Sequence, residues 1–169
     1  MKSRFKLLFT FSSIVFSSLV FSCSDNSGPV QVSSPDNRLI VDFSLDQAGR
    51  PGYSVTFGDQ LVISRSSLGF LLKDAADLNQ DFEITASSQS TFDETWEPLY
   101  GEFSQIRNHY NELVVRLKES GESGRMVHLV FRVFNDGIGF RYEVPEQPNI
   151  TNVEIMSEET EFKFTGLFW

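Results

Sequence analysis

Apolar and polar residues alternate along most of the chain after residue 38. In Leu39–Leu45, for example, every second residue from Leu39 onward is apolar. A period of two is typical of strands that bury one face. Alternation and intervening turn residues predict strands at 39–45, 53–57, 60–64, 68–72, 82–86, 113–117, 127–133, 138–144, 150–155 and 161–164. No stretch keeps helical spacing for three turns, so we expect an all-β, antiparallel fold, most simply a sandwich.

Residues 126–144 give the clearest local prediction. Asn135-Asp136-Gly137 lies between two alternating runs, and an Asp-Gly dipeptide suits the type I′ turn of a tight hairpin. We therefore expect an antiparallel hairpin whose outward face carries His128 and Arg132. The side chains expected to be buried are Val127, Leu129, Phe131, Val133, Phe140 and Tyr142.

The N-terminus is typical of an export signal. Residues 1–22 combine a basic start with an apolar stretch that is too short and too polar to span a membrane. The stretch ends in Ser22-Cys23, a small residue before the only cysteine, which resembles a bacterial lipobox. Cys23 would then be acylated, and several acyl chains give stable membrane anchoring. The alternative is an ordinary cleaved signal with a cysteine nearby.

These features define three expected regions. Residues 1–22 are a signal peptide, residues 23–33 are a lipid-anchored flexible linker rich in Ser, Pro, Gly and Asn, and residues 34–169 are the folded domain. We expect an exported protein, either an outer-membrane lipoprotein facing the periplasm or a periplasmic protein.

The charge of the exported part restricts its partners. Residues 1–22 hold three bases and no acid, so 11 bases remain against 23 acids, a formal charge of −12. A nucleic-acid partner would need a cationic stripe, and docking on anionic lipid would need a basic patch. Neither is present in the sequence. A single cysteine also excludes an intramolecular disulfide framework and any multi-cysteine metal site.

One acidic and aromatic segment is the main candidate for chemistry. Asp93, Glu94 and Glu97 surround Trp96, with Glu102 nearby. Sugar sites often combine an aromatic face with carboxylates that bind hydroxyl groups or transfer a proton. The alternative is a loop in which Trp96 packs on the sandwich edge while the acids face water.

Other possible sites are weaker. His109 is a further candidate, although His109 and His128 are 19 residues apart and form no His-x-x-x-His pair. The acidic stretch 77–83 resembles the start of a calcium loop, but Phe82 stands where that loop needs glycine and Ser88 where it needs glutamate. A solvated loop is the better interpretation. No nucleophile elbow, phosphate-binding glycine loop or Cys–His arrangement occurs.

Several segments, taken in order, resemble the N-terminal domain of glycoside hydrolase family 97. The resemblance covers roughly residues 33–166. The segments are Ser34-Pro35-Asp36, Asp93–Pro98, Gly101-Glu102, Ile106–Leu113, Phe131-Arg132, Asn135–Tyr142 and Glu158–Phe162.

The resemblance implies an exo-acting α-glycosidase, either an α-glucosidase or an α-galactosidase, acting on oligosaccharides. Its expected parts are an N-terminal antiparallel β-super-sandwich, a central (β/α)8 barrel and a small C-terminal β-domain. The resemblance also implies Ca2+ in the active site of the whole enzyme, with none bound by this chain. The catalytic carboxylates belong to the barrel, so no catalytic or metal-binding residue is assigned here.

The resemblance also limits what this chain can do by itself. After Thr165 the family continues through an aromatic stretch, so we expect the domain 34–169 to be C-terminally incomplete and the chain alone to be inactive. The alternative is a non-catalytic, lipid-anchored sandwich that binds carbohydrate or acts as a scaffold. Asp93, Glu94, Trp96, Glu97, Glu102 and His109 remain candidates for a sugar site or an interdomain contact.

Overall fold

The structure, a computed structural model, describes residues 29–122, 124–150 and 152–166. These ranges form β-strands and contain no helix that could cross a membrane. The strands in chain order are β1 (Val30–Ser33), β2 (Leu39–Leu45), β3 (Pro51–Phe57), β4 (Gln60–Ser67), β5 (Phe70–Leu72), β6 (Phe82–Trp96), β7 (Ile106–Glu119), β8 (Met126–Val133), β9 (Ile138–Glu143), β10 (Ile155–Glu158) and β11 (Lys163–Phe164).

The strands form two main sheets. One has the order β1-β2-β3-β4-β11 and the other the order β6-β7-β8-β9. A small third sheet pairs β10 with β5. All of these pairings are antiparallel. The all-β, antiparallel prediction is therefore confirmed.

The hydrophobic core lies between the two main sheets. Val41 and Phe43 of β2 are completely buried, as are Leu113 of β7 and Phe131 of β8, and all four belong to one cluster. The Phe131 ring lies 6.1 Å from the ring of Phe43 across the two sheets. Burying the inner faces of two sheets against each other defines a β-sandwich.

The hairpin at 126–144 is confirmed, with two corrections. Neither Asp136 nor Gly137 has a positive φ, so the turn is not type I′. Instead residues 134–137 form a longer loop, in which the Phe134 N–H donates to the Gly137 carbonyl at 2.8 Å. Asn135 also uses its side-chain oxygen to accept a hydrogen bond from the Asp36 N–H.

The second correction concerns burial in the hairpin. The four predicted side chains of β8 are buried, but Phe140 and Tyr142 of β9 are only half-buried. The reason is topological: β9 is the edge strand of its sheet in the described part of the chain. Phe140 and Tyr142 line an open groove together with Phe162.

Two further boundary predictions are wrong. Residues 30–33 do not belong to a flexible linker, because β1 pairs with β2 from Val30 to Ser33. The strand predicted at 150–155 is also misplaced, since β10 begins at Ile155. Just before this segment, the side chain of buried Gln147 accepts a hydrogen bond from the Met126 N–H at 2.7 Å and donates one to the Met126 carbonyl at 2.8 Å. Residues 147–150 form a turn there instead of the start of a strand. The predictions for residues 1–22, Cys23 and residues 167–169 fall outside the described residues.

Glu161 attaches the segment before β11 to the first sheet. Its carboxylate forms an ion pair with Lys163 at 2.7 Å and accepts a hydrogen bond from the Ser67 N–H at 2.9 Å. Its carbonyl accepts a hydrogen bond from the Tyr53 hydroxyl at 2.9 Å. The Lys163 ammonium, followed by the Ser67 N–H, lowers the pKa of Glu161 to about 2.

This lowered pKa predicts acid sensitivity. The folded pKa of about 2 lies below the ordinary value of 4.5, so Glu161 stabilises the fold fully above pH 4.5 and loses this effect as the pH falls through 2. Glu161→Gln should therefore give a shallower loss of stability between these pH values, measured by thermal unfolding. Asp59→Asn, in an exposed turn, serves as the control. Identical pH profiles for Glu161→Gln and the unaltered protein would contradict the prediction.

Candidate functional site

The candidate residues lie on a β-hairpin arm that extends beyond the sandwich. Residues 92–96 of β6 pair with residues 106–110 of β7. The pairing of β7 with β8 begins only at Asn111, so these five residue pairs form a two-stranded ribbon. At about 3.4 Å per residue this ribbon is about 17 Å long. Residues 97–105 connect the strands at its end, and we call residues 92–110 the arm.

Alternation along β6 separates the candidates onto two faces. Asp93 lies opposite His109, on one face of the ribbon. Glu94 and Trp96 project from the other face, where Trp96 lies opposite Ile106. The structure therefore does not bring the carboxylate of Asp93 and the ring of Trp96 into one site.

Asp93 is held by an ion pair across the arm. Its two carboxylate oxygens accept hydrogen bonds from Nε and Nη2 of Arg107, at 2.8 and 2.7 Å. The Arg107 guanidinium lowers the pKa of Asp93, with a smaller contribution from His109. Asp93 is thus ionised and paired near neutral pH, which disfavours it as a proton donor.

The other acids are exposed near the end of the arm. Glu97 accepts a hydrogen bond from the Gln105 side chain at 3.3 Å. Glu94 and Glu102 both face solvent. The candidates therefore follow the arm instead of surrounding a single cavity.

Aromatic and charged contacts hold the base of the arm. The ring of Tyr110 stacks on Phe92 at 5.3 Å and lies 5.2 Å from Phe134. The Arg132 guanidinium lies over the Tyr110 ring at 4.6 Å and pairs with Glu112 at 2.7 Å. Such cation–π and aromatic contacts each contribute about 0.5–1.5 kcal/mol.

Three of the family-like segments meet at this base. Asn111 donates a side-chain hydrogen bond to the Ser33 carbonyl at 2.8 Å, next to Ser34-Pro35-Asp36. The Asp36 N–H in turn bonds Asn135 at 3.1 Å. Hydrogen bonds from Ser34 and Arg38 lower the pKa of Asp36 to about 2, so its carboxylate stays charged. Through these hydrogen bonds the three segments connect β1, the base of the arm and the β8–β9 loop.

The described residues supply no metal centre. No three His, Cys, Asp or Glu side chains among them are grouped closely enough to hold an ion. In the acidic stretch 77–83, Asp77 accepts the Leu72 N–H at 3.0 Å and Glu83 accepts the Ser120 hydroxyl at 2.8 Å. The carboxylates of Asp77 and Glu83 thus bind neighbouring protein groups. Leu78 and Phe82 of the same stretch are buried in the core, so only part of the stretch is the solvated loop that the sequence predicted.

Sequence reasoning missed part of the arm. It did not identify Arg107 as the partner of Asp93, nor the exposed Leu99 and Phe103 near Trp96. Arg107 could have been found only from the register, because the Asp93–Arg107 contact runs diagonally across two paired strands.

The fold and the order of these segments agree with the resemblance to a glycosidase N-terminal domain seen in the sequence. Residues 32–168 match the family model described as "Glycosyl-hydrolase 97 N-terminal". The chain belongs to glycoside hydrolase family 97, as the N-terminal domain of such enzymes.

Solved structures show the same relationship. The chain is 34% identical, with a TM-score of 0.77, to a glycoside hydrolase family 97 enzyme from Pseudoalteromonas sp. strain K8, solved in complex with panose and with acarbose. It is 27% identical, with a TM-score of 0.72, to a β-arabinopyranosidase. Each match covers 80% of this chain, but only 20% and 21% of the respective relative.

Two further relatives of known sequence are named as retaining α-galactosidases. A retaining α-galactosidase from Bacteroides thetaiotaomicron is 25% identical over 66% of this chain and 16% of its own length. A probable retaining α-galactosidase from Streptomyces bingchenggensis is 28% identical over 71% of this chain and 18% of its own length. The chain thus spans about a fifth of the length of these enzymes.

Proposed function

We propose that this chain is the N-terminal part of an exo-acting α-glycosidase that hydrolyses terminal α-linked glucose or galactose from oligosaccharides. The observation that carries the proposal is the family match over residues 32–168. Its supporting relatives include α-galactosidases and an enzyme solved with panose and acarbose.

The catalytic groups belong, in this proposal, to the remainder of the enzyme. Glycoside hydrolysis uses two carboxyl groups about 5–9.5 Å apart across the scissile bond. Here Asp93 is paired with Arg107 on one face of the arm, and Glu94 projects from the other face. The role of this chain is to form a rigid sandwich that supports the catalytic part. Calcium, where the whole enzyme needs it, would be held by residues outside this chain.

The proposed activity is tested on a longer gene product. Genomic DNA beyond codon 169 should encode a barrel sequence, in frame or after a frame shift. The extended protein should hydrolyse p-nitrophenyl α-glucoside or α-galactoside, and a chelator should abolish turnover if Ca2+ is required. DNA without any barrel sequence would favour the alternative, a non-catalytic sandwich that binds carbohydrate or acts as a scaffold.

We also propose that Cys23 carries lipid and anchors the protein to a membrane after export. The support is the position of the only cysteine directly after an apolar, signal-like stretch that ends in Ser22. Two or more acyl chains would make the attachment stable. The anchor would place the enzyme on the outer membrane, facing the periplasm.

Cys23→Ser is expected to move the protein from the membrane fraction to the soluble fraction. Labelled palmitate should enter the unaltered protein and not the variant. Ser24→Ala, at the next position, is the matched control and should remain in the membrane fraction. An unaltered protein that takes up no palmitate would exclude lipidation.

A further inference from the structure

The loop between β8 and β9 contains an aspartate directly before a glycine. Asp136-Gly137 is the only Asp-Gly step in the sequence, and no Asn-Gly step occurs. Neither residue has the positive φ of a type I′ turn, so the backbone conformation of this loop does not require a glycine. What Gly137 does provide is a backbone N–H that no side chain of its own shields.

The Asp136 carboxylate and the Gly137 N–H both lack a partner in the part of the chain that the structure describes. Asp136 is exposed, and no hydrogen bond or ion pair holds its side chain. The Gly137 carbonyl accepts the Phe134 N–H at 2.8 Å, but the Gly137 N–H donates to no protein group. A Cβ atom built on Gly137 would meet nothing within 4 Å beyond its chain neighbours. A carboxylate and an amide nitrogen are thus adjacent along the chain and unshielded.

Other aspartates of the described chain are more restricted. Asp46 accepts hydrogen bonds from the Ala48 and Arg50 N–H groups, both at 2.9 Å. Asp42 accepts one from the Gln31 side chain at 3.0 Å. Every aspartate except Asp136 also precedes a residue with a side chain, whose Cβ hinders the approach of the carboxyl group to the next backbone nitrogen.

We propose that Asp136 isomerises spontaneously to isoaspartate in the folded protein. The Gly137 nitrogen attacks Cγ of Asp136 and forms an N–Cγ bond. One carboxyl oxygen leaves as water, taking the amide proton and one proton from solvent, and a succinimide ring remains. Water then adds to either ring carbonyl, breaks its bond to nitrogen and returns one proton to solvent. Opening at the backbone carbonyl gives isoaspartate, whereas opening at Cγ restores aspartate.

Isomerisation would alter the connection between β8 and β9. The main chain would then run through Cβ and Cγ of residue 136, which lengthens the loop by one methylene group. The Phe134–Gly137 hydrogen bond spans this position, and Asn135 beside it accepts the Asp36 N–H at 3.1 Å. The modification would therefore loosen the contact between this loop and the Ser34-Pro35-Asp36 segment.

Peptide mapping tests the proposal on the purified chain. The protein is incubated near neutral pH after a cooperative urea transition has shown that it is folded. Trypsin, which cuts after Arg132 and Arg141, then releases residues 133–141. An isoaspartyl form of this peptide should elute separately with unchanged mass and accept a methyl group from S-adenosylmethionine through protein isoaspartyl methyltransferase. Deamidation of Asn135 would raise the mass, so the unchanged mass assigns the change to Asp136.

The rate of isomerisation tests whether the folded loop leaves the two groups free. The opening free energy of a loop without packing contacts is close to zero, so the rate should lie within about threefold of that of a synthetic peptide of residues 133–141. A slower rate would show that the fold holds the carboxyl group and the nitrogen apart. That result would overturn the proposal.

Two variants and one internal control restrict the signal to a single position. Asp136→Glu keeps the charge and should abolish the isoaspartyl peptide, and Gly137→Ala should slow its formation because a Cβ shields the nitrogen. The tryptic peptide of residues 39–65 contains Asp42, Asp46 and Asp59, each before a side chain, and should stay unmethylated. Equal methylation of the two peptides, or a signal that persists in Asp136→Glu, would overturn the assignment.

Discussion

Phe131→Ala is expected to lower the free energy of unfolding by about 3–5 kcal/mol. Phe131 is completely buried in the middle of β8. Its ring lies 6.1 Å from the rings of Phe43 and Tyr53 and 5.7 Å from that of Phe140, so it joins the two sheets. Alanine would leave a cavity that these rings cannot fill without moving. Domains of this size have only about 5–15 kcal/mol of stability.

Urea unfolding followed by intrinsic fluorescence measures the effect of Phe131→Ala. Phe57→Ala provides the matched control, because Phe57 is 43% exposed and contacts Arg38 at the surface. Its expected cost is about 1 kcal/mol or less. Equal losses for the two variants would contradict the two-sheet core.

Arg125→Met is expected to destabilise the protein by about 3–5 kcal/mol, the usual cost of removing one partner of a buried ion pair. Arg125 donates to both carboxylate oxygens of Glu119 at 2.5 Å. It also donates to the carbonyls of Ala76 and Asp77 at 2.7 and 3.2 Å, which attaches the 73–81 loop to β7. The side chains of Arg125 and Glu119 are only 8% and 7% exposed.

The exposed pair on the arm supplies the comparison. Arg107→Met breaks an ion pair whose side chains are 60% and 46% exposed, and such pairs contribute about 1 kcal/mol or less. The double variant Glu119→Met/Arg125→Met should recover part of the stability lost in Arg125→Met, because no buried carboxylate is left without its arginine. Thermal unfolding of the four proteins measures both expectations. If Arg125→Met lost no more stability than Arg107→Met, the expected large contribution of the buried Arg125–Glu119 pair would be contradicted.

Alternation in the sequence predicted the strands that bury one face. β2 occupies the predicted residues 39–45, and β8 follows the predicted 127–133 closely. β6 was predicted only at 82–86 but continues to Trp96. Residues 87–91 are all serine, threonine or glutamine, so no hydrophobic period marks them. They are strand because they pair with β7, and tertiary pairing overrides local preference.

The arrangement of the candidate site was less predictable than its location. The sequence placed Asp93 and Trp96 close together along the chain, but an odd separation on a strand puts their side chains on opposite faces. The Asp93–Arg107 pair depends on the register of β6 against β7, which is set by the 97–105 connection. That connection contains Pro98 and Gly101 but no short-turn signature from which the register could be inferred.

Turnover by the purified 23–169 chain alone, with and without Ca2+, tests most directly the claim that this is a non-catalytic sandwich of a larger glycosidase. We expect no hydrolysis of p-nitrophenyl α-glucoside or α-galactoside under either condition, while the extended protein is active on one of them. Calcium-dependent turnover by the short chain would contradict the account and would direct attention to Asp93, Glu94, Glu97 and Glu102 as acid and base.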